Sequence, residues 1–342
     1  MGTGWKAGLG LAISGVLLWW VFRDVEPVEV WREVRDGNLL LLGAAVAVAT
    51  SGFLVRALRW RLLLHPLHPH TTLHSRFAAV NIGFMANNLL PARVGEFARA
   101  YSLSRLEPVS TSGAIGSLVV ERLLDAGAIL LLLTVALLSP AFPEAATVGG
   151  RPVAMVAWGF LAVLLVLLFF VGGLLFEPER LLRWLRRLAA VLPQRVGTVM
   201  LDAVATFLDG LRAIQKPSLI LGALAWSLGF WAWNGVSFWL ALEAFGIEVG
   251  YTGALFVQAI IALGVAVPSA PGFFGTFHAA ALVALSDVYG VADGPTLAFA
   301  FGYHLGGFIP VTLMGLWYAW RLGLTVSDVT DAPQTAAEEE NR

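Results

Sequence analysis

The stretch "NNLLPARVGEFARA", Asn87 to Ala100, interrupts an apolar run that extends from Phe77 to Leu106. It places two asparagines, a proline, a glycine, a glutamate and two arginines where a smooth helix would need apolar residues. Proline removes a backbone donor and crowds the preceding turn, so a helix ends near Pro91. A second apolar run, Tyr251–Leu285, is broken the same way at "VPSAPGFFG", Val267–Gly275. Each run is long for one membrane helix and short for two, since a span takes about 20 residues. Each therefore reads as a helical hairpin with an irregular tip.

The rest of the chain sets those hairpins in a membrane. Of its 342 residues 58% are hydrophobic and 13% charged, and the mean hydropathy is +0.77. Soluble domains carry about 25% charged residues, so the composition excludes an ordinary soluble fold. Net charge is −1, which offers nothing to a polyanion, and no nucleic-acid partner is expected. There is no cysteine, hence no disulfide, thiolate site or cysteine nucleophile. Six further segments reach spanning length: Trp5–Phe22, Leu39–Leu64, Ser112–Leu138, Val153–Phe176, Leu219–Leu242 and Pro295–Trp320. The first is read as a retained span, because Arg23, Asp24 and Glu26 follow it instead of a small-residue cleavage site.

Basic residues orient the chain. Segment 177–216 is the richest basic loop, and its "ERLLRWLRRLAAVL" stretch alternates arginines with Leu and Trp at helical spacing. It is expected to lie as a basic amphipathic segment on the cytoplasmic face. With both termini also cytoplasmic, the charges balance only if each broken run leaves on the side it entered. The expected fold is all-α and polytopic, about six full spans plus two opposed re-entrant hairpins in an inverted repeat. Broken helices in corresponding positions of two halves are the sequence mark of such transporters. Residues 1–324 form one transmembrane domain, with halves of about 1–140 and 217–324 joined by 141–216. Residues 325–342 read as a disordered acidic tail, and the location as a multi-pass protein of the cell (inner) membrane.

Candidate binding residues are polar groups that are expensive at membrane depth. Each charge there costs about 2.5–3.5 kcal/mol on insertion scales. Arg93 and Glu96 are spaced to pair on a helix, whereas Arg99, one turn on, reads as a side chain snorkelling to the interface. "VVERLLDAG", Val119–Gly127, places Glu121, Arg122 and Asp125 on one broad face of a span. Asn87 and Asn88 suit a hairpin tip with unpaired backbone groups. In the second hairpin Pro271, Gly272 and Gly275 break the chain, and the helix restarting near Phe274 would turn free N–H groups inward. His278 follows one turn later, and His304 sits in the last span. His65, His68, His70 and His74 cluster in a loop, but alternating prolines disfavour a preformed metal site there. No phosphate-binding loop, nucleophile elbow or HExxH motif occurs, so no enzyme, cofactor or metal is expected.

"NNLLPARVGEFARA", "VVERLLD" and "PSAPGFFGTFHAAAL" resemble the signature stretches of the lysylphosphatidylglycerol-synthase transmembrane-region family, also called flippase-like. The resemblance runs from about Trp5 to Arg321. It carries over to Pro91, Arg93, Gly95, Glu96, Glu121, Arg122, Asp125, Pro271, Gly272 and Gly275. Two positions depart: His278 stands where the family commonly has an acid, and His304 where it has an arginine. The resemblance implies a domain that moves lipids or lipid-linked sugars between leaflets, alone or beside an aminoacyl-lipid synthase or a glycosyltransferase. The expected function is a flippase for an anionic lipid or polyprenyl-phosphate or glycolipid headgroup. The alternatives are a non-transporting partner of a synthase or glycosyltransferase, and a membrane-embedded lipid-modifying enzyme.

Overall fold

The computed structural model describes residues 12, 14–21, 26–90, 94–143, 147–148, 151–152, 155, 158–159, 162–163, 165–166, 178–190, 217–266 and 270–324. These residues are almost entirely helical. In chain order the helices are α1 (Pro27–Asp36), α2 (Leu39–Leu64), α3 (Leu73–Leu89), α4 (Gly95–Leu106) and α5 (Thr111–Leu137), followed by α6 (Pro178–Ala189), α7 (Pro217–Ala244), α8 (Gly250–Gly264), α9 (Thr276–Leu282) and α10 (Asp293–Arg321). Residues 14–21 are also helical. A ladder of Thr147–Val148 with Arg151–Pro152 is the β structure among the described residues.

Among the described residues three helices are long and apolar enough to cross a membrane: Leu39–Leu64, Ser218–Ala244 and Asp293–Arg321. Helix α5 has 27 residues, but Glu121, Arg122 and Asp125 near its middle set it apart from a plain apolar span. The expected span Val153–Phe176 lies largely outside the described residues, as do residues 191–216 and the acidic tail. In α6 the arginines 183, 186 and 187 are exposed, while Leu185 is buried against Ile220 and Ala223.

Helix starts follow from local chemistry. Asn38 accepts from the N–H groups of Leu40 and Leu41, Thr72 from that of Ser75, and Ser110 from that of Gly113. Each satisfies donors that a helix start leaves open. The first broken run ends its leading helix at Leu89 and restarts at Gly95, with residues 91–93 outside the description.

Both broken runs fold back on themselves. Gly83 of α3 faces Gly95 and Arg99 of α4 so closely that a methyl group on Gly83 would lie 2.8 Å from the Gly95 carbonyl oxygen. At the far end Glu107 accepts from the Thr72 N–H at 2.8 Å, so this hairpin's entry and exit meet. In the second run a methyl on Gly264 of α8 would lie 2.6 Å from the Ala280 methyl of α9. Its exit returns to its entry as well: the Tyr289 ring packs 5.8 Å from Phe256. The two mouths lie at opposite ends of α10. His74 and Phe77 pack on Tyr318 near its C-terminal end, whereas Tyr289 immediately precedes its N-terminal end.

Helices far apart in the chain pack together. Helix α2 runs antiparallel to α7, through Ala45 with Ser237, Gly52 with Phe230 and Arg59 with Ser227. The first hairpin packs on α10, where Asn88 donates to the Thr312 hydroxyl at 2.8 Å. The second hairpin packs on α5, and Ser139 just beyond that helix bonds Thr252. Helix α10 thus braces the first hairpin and α5 the second.

Candidate functional site

The centre of the fold holds a cluster of charge. Glu121 is fully buried on α5, and Asp125, one turn on, is 3% exposed. Arg99 of α4 grips Glu121 with two bonds, Nη1 to Oε1 at 2.7 Å and Nη2 to Oε2 at 3.0 Å. Arg59 of α2 lies 3.1 Å from Glu121 and also bonds Asp125 and the Ser227 hydroxyl. Arg56, one turn earlier on α2, reaches Asp125 at 3.3 Å. Arg122 bonds Glu121 at 2.7 Å and lies 3.6 Å from Asp125, yet its side chain stays 42% exposed. Forked arginine–carboxylate contacts of this kind are the strong form of ion pair.

Aromatic faces complete the housing. The Arg99 guanidinium sits 3.9 Å from the Trp60 ring, and Arg56 sits 4.0 Å from the Phe230 ring. Such contacts hold a guanidinium partly stripped of water. Four guanidiniums therefore surround two buried carboxylates. Glu96, in the first turn of α4, acts electrostatically on Arg122. Counting it, the group holds four positive and three negative charges among the described residues.

Several expectations change here. Arg93, and with it the expected pairing of Arg93 with Glu96, lies outside the described residues. Arg99 does not snorkel; it is 3% exposed and bound to Glu121. Arg56 and Arg59, which the sequence does not single out as candidates, are core members of the cluster. Their signal was the three-residue spacing of two arginines inside an apolar helix, which puts both on one face.

The hairpin residues take distinct places. Asn87 accepts from the Gly95 N–H at 2.9 Å and so starts α4. Asn88 bridges to α10. In the second hairpin Gly272, Phe273 and Gly275 all have positive φ, at 70°, 62° and 90°. Pro271 opens the 3-10 turn ahead of them. The helix restarts at Thr276 instead of Phe274, and the Gly275 N–H is 3.4 Å from His278 Nδ1. The expected open N-terminus is therefore partly closed by His278 itself. His304 packs face to face on Phe277 with ring centres 4.5 Å apart.

A cavity of about 260 Å³ lies between the hairpins, with Asn88 from the first and Phe273 and Phe277 from the second in its wall. Phe84 and Trp231 also line it, and Arg56 sits 5.2 and 5.7 Å from their rings. Two of the cavity's rings are thus shared with the housing of Arg56.

A helical membrane domain with buried charge at its centre is a class of its own, and the comparisons place the chain within it. The chain belongs to the family described as lysylphosphatidylglycerol synthase TM region, whose model matches residues 8–315. It is also similar to a protein named Glycosyltransferase AglD from Haloferax volcanii, 28% identical over 119 residues. That match covers 35% of this chain and 19% of that protein, so the chain spans about a fifth of its relative's length. Family and relative together fit a lipid-related role in a membrane.

Proposed function

We propose that this chain is a flippase that moves an anionic lipid or lipid-linked headgroup between membrane leaflets. The observation that carries the reading is the excess of guanidinium over carboxylate in the buried cluster. Burying charge is unfavourable by several kcal/mol per ion even when paired, and apolar residues of similar size would avoid it. A surplus positive charge is worth keeping where a phosphate takes the vacant place. Arg122 is the half-exposed member and makes the first contact, while Glu121 and Asp125 hold the arginines in position. The hairpins act as opposed re-entrant gates, with the basic 177–216 segment and both termini on the cytoplasmic side of the cell membrane. The chain then works as one domain over residues 1–324, without cofactor or metal.

The glycosyltransferase name of the Haloferax relative supports a second reading, a membrane partner for a separately encoded glycosyltransferase. Reconstitution separates the two. In vesicles with a labelled anionic phospholipid in one leaflet, the chain should equilibrate the label, and Arg122→Gln should slow it at least about tenfold, the loss of one charged contact. An aminoacylated, cationic form of the same lipid should move more slowly. Label that stays put points to the partner reading, and label that changes mass points to an enzyme.

A further inference from the structure

Two histidines hold the turn of the second hairpin in a conformation it would not keep alone. Gly272, Phe273 and Gly275 all have positive φ. Glycine enters that region freely, but Phe273 does so against the crowding of its own Cβ. Such a residue persists only where its surroundings over-determine it. The holding groups stand at the two ends of the turn. At one end the Gly275 N–H donates to His278 Nδ1 at 3.4 Å. At the other end His304 donates to the Gly272 backbone carbonyl. Between them the Thr276 hydroxyl donates to the Phe273 carbonyl at 3.1 Å.

These contacts decide which ring nitrogen carries each proton. His278 accepts at Nδ1, so the neutral ring carries its proton on Nε2, and that buried N–H has no partner. His304 Nδ1 is buried without a partner as well, so Nε2 is the atom that donates to Gly272 and Nδ1 keeps a lone pair. An unmatched donor and an unmatched acceptor thus sit in rings whose centres are 5.3 Å apart.

A second proton on His278 has to go to Nδ1, because Nε2 already holds one. Imidazolium has two donors and no acceptor. Its Nδ1–H would face the Gly275 N–H, donor against donor, and the hold on that end of the turn would be lost. Nothing packed on His278 would steady the charge in place. The rings around it are Phe274, Phe277 and Phe301, and His304 is the titratable group that acts on it among the described residues. Residues 14–21 meet the turn through Ser14 and Leu17, and α8 meets α9 through Gly264 against Ala280, all uncharged.

We propose that His278 is the proton site of a latch: neutral, it holds the turn of the second hairpin closed, and protonated, it lets go of Gly275 and turns its charge to the unpartnered nitrogen of His304. Phe273 and Phe277 stand in the wall of the cavity between the hairpins, so release of the turn reshapes that cavity. The latch is a property of the hairpin and goes beyond the lipid reading, since it holds whichever molecule the chain moves.

Hydrogen exchange of the full chain in nanodiscs tests it, with rates corrected for the intrinsic pH dependence of amide exchange. A histidine released into water takes its proton near pH 6.5, and each pH unit below that favours the released turn about tenfold. Amides from Gly272 to Ala279 should therefore exchange about tenfold faster at pH 5.5 than at pH 7.5 after correction. Amides of the first hairpin should not change. His278→Gln keeps an acceptor for Gly275 and cannot take a proton, so it should abolish the difference. Thermal unfolding checks that the variant is folded, and the wild-type comparison stands without it. Equal corrected rates at the two pH values overturn the latch. So does a matching rise in the first hairpin, which would mean loosening of the whole molecule, or a pH dependence that survives His278→Gln. The readout is exchange, so failure of lipid movement leaves it intact.

Discussion

Glu121 is the residue on which most of the centre depends. Its two oxygens serve Arg99, Arg59 and Arg122, and Arg56 stands 3.8 Å away. Removing its charge strands buried guanidiniums, so Glu121→Gln should lose about 3–5 kcal/mol of stability, the usual result of breaking a buried pair. Arg122→Gln should lose far less, because that side chain is 42% exposed and Glu121 keeps two other partners. Thermal unfolding in nanodiscs measures both. Equal losses would make Arg122 another structural member and deprive it of a binding role. The acids of this cluster were legible in sequence, because Glu121 and Asp125 sit far from either end of an apolar helix. Arg56, Arg59 and Arg99 were not, because a long basic side chain near a helix end ordinarily reaches for the interface. Their burial is decided by what α5 places opposite them, which the residues around each arginine do not reveal.

At the level of the elements, close approach of backbones makes the hairpins. A methyl group on Gly95 would overlap the Gly83 carbonyl oxygen and the Asn87 side chain, both in the facing helix. Gly95→Ala should therefore destabilise the protein by about 1–3 kcal/mol through overpacking. Gly43→Ala is the control: nothing lies within 4 Å of that position, and alanine favours the helix by up to about 1 kcal/mol. Unfolding temperatures should move in opposite directions for the two variants. A neutral Gly95→Ala would mean that α3 and α4 part readily. The positions of the breaks were legible, since Pro91 in one run and Pro271, Gly272 and Gly275 in the other interrupt a continuous helix. So were the ends of α2, where Asn38 caps an apolar run. The restart of α9 was less so: positive φ at Phe273, a residue with no special tolerance for it, pushes the helix start past Phe274 to Thr276.

Across the whole molecule, the opposed mouths are the feature to test against a membrane. The absence of native cysteine makes single-cysteine labelling direct. Cysteines at Thr72 and Ser104 should react with an impermeant maleimide from the cytoplasmic side, and cysteines at Gly250 and Ser286 from the other side. Labelling of Thr72 and Ser104 from different sides would make the first hairpin a full crossing and remove the gate mechanism. The two breaks were legible in the sequence, but not the packing of the first hairpin on α10 and of the second on α5. Periodicity and charge describe one helix at a time, whereas the pairing of α3 with α10 joins residues 224 positions apart.

That separation also bears on how the protein is made. Asn88 and Met85 belong to the early part of the chain, and the surface that covers them, Phe308 to Gly315, belongs to its last helix. While the ribosome is still working, the first hairpin is without its brace, with the Asn88 amide and Met85 uncovered. Membrane insertion machinery must therefore shelter that face through nearly the whole of synthesis. Until α10 arrives, the nascent protein is in the state most exposed to quality-control proteases.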